Sequence, residues 1–63
     1  MRVLIVEDEA AIALDLATIV QELGAEVVGM AVDAQEALTL ALELRPDVIL
    51  MDVRLKNHRP DNW

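Results

Sequence analysis

Two short runs of consecutive apolar residues, Val3-Leu4-Ile5-Val6 and Val48-Ile49-Leu50-Met51, each end in acid. Glu7-Asp8-Glu9 follows the first and Asp52 the second. Continuous rather than alternating hydrophobicity marks a strand covered on both faces, as in the middle of a parallel sheet. Pro46 stops a helix from running into the second of these strands. From Ala10 the period changes, with Ile12, Leu16, Ile19, Val20 and Leu23 falling on one helical face and Asp15, Gln21 and Glu22 pointing away from it. Asp8 is the expected N-cap of this helix and Gly24 the residue that ends it. Ala25 to Met30 reads as a short strand around Val27 and Val28. Asp33-Ala34-Gln35-Glu36 then has the spacing of a capping box, and a second helix is expected to about Leu44. Ala34, Ala37, Leu38, Ala41 and Leu44 make its core face, leaving Leu40 and Leu42 off that face, as a wider buried surface or a contact with another chain.

The element order is therefore β-α-β-α-β, with connections too long for hairpins and helical enough for crossovers. Such crossovers are right-handed. With the third strand on the far side of the first from the second, the parallel sheet has order 2-1-3, and the helices cover opposite faces. That arrangement is an α/β, flavodoxin-like half-domain with a topological switch between strands one and three. Ligands of open α/β sheets bind at that crevice, beyond the carboxyl ends of the strands, which is where the acids fall.

Composition narrows the picture. A chain of 63 residues is one small domain, and a core of that size rarely supplies more than about 3–5 kcal/mol of net stability, so oligomerisation or a bound ion is the expected supplement. Cysteine is absent, which excludes disulfides and thiolate metal sites. The net charge of −7 argues against nucleic acid as a partner and favours basic partners or metal cations. No apolar run could span a bilayer and no leader precedes a cleavage site, so no membrane contact is expected and the cytoplasm is the default placement.

Neighbouring strands lie about 4.8 Å apart, so Glu7, Asp8 and Asp52 are expected to converge. Carboxylates about 4 Å apart repel by roughly 4 kcal/mol at an effective dielectric near 20, and a trio so placed either takes up protons or holds a cation. Oxygen-only donors at a solvent-facing rim select a hard ion, Mg2+ above others. The plainer alternative is that Glu7, Asp8 and Glu9 favour a helix dipole while Asp52 opens a turn.

Val3 to Glu9, together with Arg45-Pro46-Asp47-Val48-Ile49-Leu50-Met51-Asp52-Val53-Arg54-Leu55, resembles the receiver domain of two-component response regulators, and Asp33 to Leu38 is similar to that family's second helix. The resemblance covers residues 2 to 55. It implies that Asp52 is the phosphoacceptor, that Glu7 and Asp8 hold Mg2+ directly or through water, and that the backbone carbonyl of Arg54 completes the metal site. It further implies phosphoryl transfer from a histidine kinase, a phosphotransfer protein or a small phosphodonor, in a module that is not itself an enzyme.

The resemblance stops after Leu55, which divides the chain into a receiver-like part, 1–55, cut after its third strand, and a tail, 56–63, unlike the family. The family's strand-four Ser or Thr and strand-five Lys have no counterpart; Lys56, which stands where a proline is usual, His58 and Arg59 do not supply that lysine. His58 reads as a solvated side chain and Trp63 as a packing anchor or frayed end. Impaired phosphorylation is one expectation; a degenerate interaction or oligomerisation module whose acids are idle is the alternative. In either case the exposed apolar edge of strand three is expected to pair with a second copy. A Rossmann-type nucleotide site fares worst, because Glu7-Asp8-Glu9 would repel a pyrophosphate and no Gly-x-Gly-x-x-Gly is present.

Overall fold

The computed structural model describes residues 1–51, which form β1 (Arg2–Val6), α1 (Ala10–Glu22), β2 (Glu26–Ala31), α2 (Ala34–Leu44) and β3 (Val48–Met51). The three strands make one parallel sheet in the order β2-β1-β3, as the hydrophobic pattern implies. Alternate residues of β1 serve opposite faces. Val3 and Ile5 pack with Ala13, Ala17 and Val20 of α1, whereas Leu4 and Val6 pack with Ala31 and with Ala37 of α2. Each helix thus covers its own face, and Leu4 and Ile5 are 0% exposed.

The buried stripe of α1 differs from the one its large apolar residues suggest. Ala13, Ala17 and Val20 are buried, while Ile19 is exposed and Leu23 is 80% exposed. Small side chains at successive turns bring the helix close to the sheet, and that rotates the larger residues to the margins. On α2 the same correction exchanges two leucines. Leu40 packs with Ala37 and Ala41 against the core, and Leu38 is 63% exposed. Ala34 is exposed as well.

Both helix exits carry a stated cause. Gly24, at φ 90°, donates to the Gln21 carbonyl at 3.0 Å, and Ala25 donates to the Val20 carbonyl at 3.1 Å. These two bonds are the Schellman pattern, and the positive φ is the reason for glycine there. Arg45, at φ 50°, ends α2 in the same left-handed region, with Pro46 following. Arg2 secures this exit from a distance, since its guanidinium donates to the carbonyls of Leu44 at 2.6 Å and Arg45 at 2.9 Å. A cation on the last carbonyls of a helix satisfies them and complements the dipole. The Arg2 amide also donates to the Asp47 carboxylate at 2.7 Å, and the Asp47 amide donates to the Arg2 carbonyl at 2.8 Å. This clasp sets β3 beside β1 at the amino ends of the strands.

The β1–β2 register shifts between Val3 and Leu4, which pair with Val27 and Gly29, so Val28 is an extra residue. A one-residue insertion reverses which face the following side chains meet. Val27 therefore packs on the α1 side and Ala31 on the α2 side, although they are four positions apart. A Cβ on Gly29 would lie 2.9 Å from Leu44 Cδ1 and 3.3 Å from Leu4 Cδ1, so glycine here admits Leu44 of α2 to the sheet.

The cover is uneven at β3. Val48, Ile49 and Met51 are exposed and Leu50 is half-buried. Leu16 and Val20 of α1 and Leu23, its C-cap, face Val48 and Leu50 across an open apolar groove of about 520 Å³. Among the described residues, no helix is long and apolar enough to cross a membrane.

Candidate functional site: a carboxylate cluster at the end of the central strand

β1 ends at Val6, and the next three residues are acidic. Glu7 continues the sheet by one bond, its amide donating to the Ala31 carbonyl at 2.9 Å. Its side chain is 5% exposed, and Glu7 Oε2 accepts from the Glu9 amide at 3.1 Å. The backbone thus folds back toward Glu7 as it enters α1. The helix begins one residue later than the capping pattern suggests. Glu9, not Asp8, occupies the N-cap position, and it makes no side-chain cap bond. The reason is local: the Glu9 amide is committed to Glu7, and the Glu9 carbonyl accepts the first helical bond, from Ala13 at 2.9 Å.

One carboxylate oxygen from each of Glu7, Asp8 and Glu9 lies within 4.8 Å of the other two. Glu7 is the buried member, and Asp8 and Glu9 are exposed. Oxygens adjacent on one octahedral Mg2+ are about 3 Å apart, and three donors include at least two such pairs, so these side chains need to close by up to about 2 Å to share the ion. An all-carboxylate donor set of two exposed groups and one buried group fits a hard cation that keeps several of its waters. Glu9 was absent from the donor set inferred from sequence. Its place in an unbroken Glu-Asp-Glu run is the signal that points to it.

The second half of the expected site is fixed as far as Met51. β1 and β3 pair in an unshifted register from Val3 with Val48 to Val6 with Met51. Glu7 follows one member of the last pair and Asp52 the other. Asp52 itself, Arg54, Lys56, His58, Arg59 and Trp63 lie outside the described residues.

Loop anchoring on the other side of the cluster comes from α2. Asp33 caps this helix, its carboxylate accepting from the Glu36 amide at 2.8 Å. Glu36 returns not to the Asp33 amide, the usual target, but to the Val32 amide, at 2.8 Å.

Comparison with known proteins agrees with this geometry. The family model described as the response regulator receiver domain matches residues 3–59. The transcriptional regulatory protein PdtaR of Mycobacterium tuberculosis is 54% identical over 54 residues, covering 86% of this chain and 26% of that protein. The phyllosphere-induced regulator PhyR of Methylorubrum extorquens is 46% identical over 54 residues, covering 84% of this chain and 20% of that protein. The chemotaxis protein CheY of Thermotoga maritima is 41% identical over 54 residues, covering 86% of this chain and 45% of that protein. The chain spans less than half the length of each of these relatives. With a parallel 2-1-3 sheet, acids at the carboxyl end of its central strand and a family match over nearly all its residues, the chain belongs to the response regulator receiver domain family.

Proposed function

We propose that this chain accepts a phosphoryl group on Asp52, with Mg2+ held by Glu7, Asp8, Asp52 and the Arg54 backbone carbonyl. The observation that carries the reading is the β1–β3 register, in which the residues preceding Glu7 and Asp52 are partners. Bound Mg2+ would neutralise charge on the incoming phosphoryl oxygens. A carboxylate oxygen of Asp52 attacks phosphorus, the bond from phosphorus to the donor's imidazole nitrogen breaks, and the imidazole leaves with the electron pair. The product is an acyl phosphate. Glu7, fixed by its bond to the Glu9 amide, supplies the rigid wall of the site, and Asp8 at its exposed rim adapts to the ion. Receiver domains act with histidine kinases or phosphotransfer proteins, and this chain's donor belongs to that class. The protein is the carrier of the group and does not turn over.

Incubation with phosphoramidate and Mg2+ should add the mass of one phosphoryl group, and the adduct should vanish in Asp52→Asn and on chelation of the cation. Labelling that survives Asp52→Asn overturns the assignment.

A second reading, an interaction module that assembles without phosphorylation, draws on a different observation: the exposed apolar residues of β3, an edge strand among the described residues. An apolar edge with no bulge or internal charge is a template for pairing. Under this reading two copies join along β3. Sedimentation at low micromolar concentration should then give a dimer, and a folded monomer there excludes it.

A further inference from the structure

One peptide unit connects the capping box of α2 to the carboxylate cluster. The carbonyl of Ala31 accepts from the Glu7 amide at 2.9 Å, and the amide of Val32, in the same planar unit, donates to Glu36 Oε1 at 2.8 Å. A trans peptide points its carbonyl and its N–H in opposite directions, so the unit is held from both sides. On one side is the backbone of the cluster's only buried acid. On the other, at the outer edge of the sheet, is the carboxylate of an exposed helix residue. An ionised acceptor on the N–H strengthens the bond made by the carbonyl of that unit, because hydrogen bonds in a chain polarise one another. Glu36 is in turn seated by Asp33, which accepts from its amide. The ordinary capping box closes on the N-cap residue's own amide; here it closes one residue earlier, and that single step brings the β2 terminus under its control.

We propose that Glu36 is a positioning residue for the carboxylate cluster. It acts through the Ala31–Val32 peptide on Glu7 and so sets how well Glu7, Asp8 and Glu9 gather a divalent cation. The link between Glu36 and Glu7 is a property of the metal-free chain; its consequence for the cation rests on the function proposed above.

Hydrogen exchange and Mg2+ titration of the full chain, followed residue by residue in amide NMR spectra, test both parts. Three variants are compared with the wild type: Glu36→Ala, Glu36→Gln and Asp33→Ala. Exchange at Glu7 is referred to exchange at Leu4 and Ile5, so that a general loss of stability cancels. In the metal-free chain Glu36→Ala should speed exchange at Glu7 about fivefold relative to those references, and Glu36→Gln, which keeps the hydrogen bond, should restore most of the protection. Asp33→Ala, which removes the N-cap of the same helix but not the Val32 contact, should have a smaller effect on Glu7. With Mg2+, Glu36→Ala should weaken binding about three- to tenfold, less than the roughly 10–100-fold that loss of a ligand's direct partner costs, because Glu36 acts through an intervening peptide. Equal responses to Glu36→Ala and Asp33→Ala, or none at Glu7, would overturn the positioning role. An exchange response in a wild-type chain that binds no Mg2+ supports the link and overturns the cation reading instead.

Discussion

Replacing Ile5 by alanine should leave the chain largely unfolded at room temperature. Ile5 is 0% exposed and packs with Val3, Ala13, Ala17 and Val20 between the central strand and α1. Truncating a fully buried isoleucine costs about 2–5 kcal/mol, the lost transfer energy plus that of the cavity. A single core of this size rarely supplies more than about 3–5 kcal/mol, so the loss is comparable to the whole. Ile19→Ala is the informative partner variant. The helical period of α1 places Ile19 on the core face, but it is exposed, so its truncation should shift stability by no more than about 0.5 kcal/mol. Urea titrations followed by far-ultraviolet circular dichroism, at one protein concentration, measure both. Equal losses in the two variants would mean that α1 sits on the sheet in another rotation.

That contrast shows what the sequence expresses and what it conceals. Strands β1 and β3 are legible because continuous apolar runs ending in acid have few other structural meanings. The ends of both helices are legible because Gly24 and Asp33 do jobs that few residues can do. The helix faces are less so. Hydrophobic periodicity weights leucine and isoleucine over alanine, whereas a helix lying close against a sheet places its smallest apolar residues at the contact, here Ala13, Ala17 and Ala37. The Leu38 and Leu40 exchange has the same origin, and beside it Gly29 leaves the space that Leu44 approaches.

Irregular features escaped entirely. Nothing in Glu26-Val27-Val28-Gly29 marks Val28 as the inserted residue, because the insertion is a property of the pairing with β1 and not of β2 alone. Arg2, the second residue, holds carbonyls more than forty positions away, a long-range contact that no local pattern encodes. In the site, the placement of Glu7 and Asp8 directly after the central strand was legible from the apolar run that ends in acid. The inclusion of Glu9 goes with the start of α1, and a shift of one residue in a helix start is below what capping preferences resolve, whereas α2 starts at the expected cap and the return of Glu36 to Val32 is a choice between neighbouring amides that the spacing does not distinguish.

Adding Mg2+ should raise the melting temperature of the chain, and Asp8→Asn should remove most of that rise. A ligand that binds only the folded state stabilises it by mass action, by about 1.4 kcal/mol at ten times its dissociation constant. For a domain of this size each kcal/mol is worth about 4–8 °C, giving an expected shift of about 6–11 °C. The three carboxylates are not equivalent in this respect. Asp8 is an exposed donor whose amide analogue keeps its shape and gives up its charge, so Asp8→Asn reads the cation interaction directly. Glu9→Gln should lower the shift only in part, because it removes one carboxylate of the group but leaves the Glu9 backbone amide, which holds Glu7 Oε2 whatever the side chain is. The control is NaCl at matched ionic strength, since a chain of net charge −7 gains stability from screening alone. A rise that NaCl reproduces, or one that persists in Asp8→Asn, would mean that the Glu-Asp-Glu run only shapes the entry to α1. A rise specific to Mg2+ and lost with Asp8 ties the cation to the acids that end the central strand.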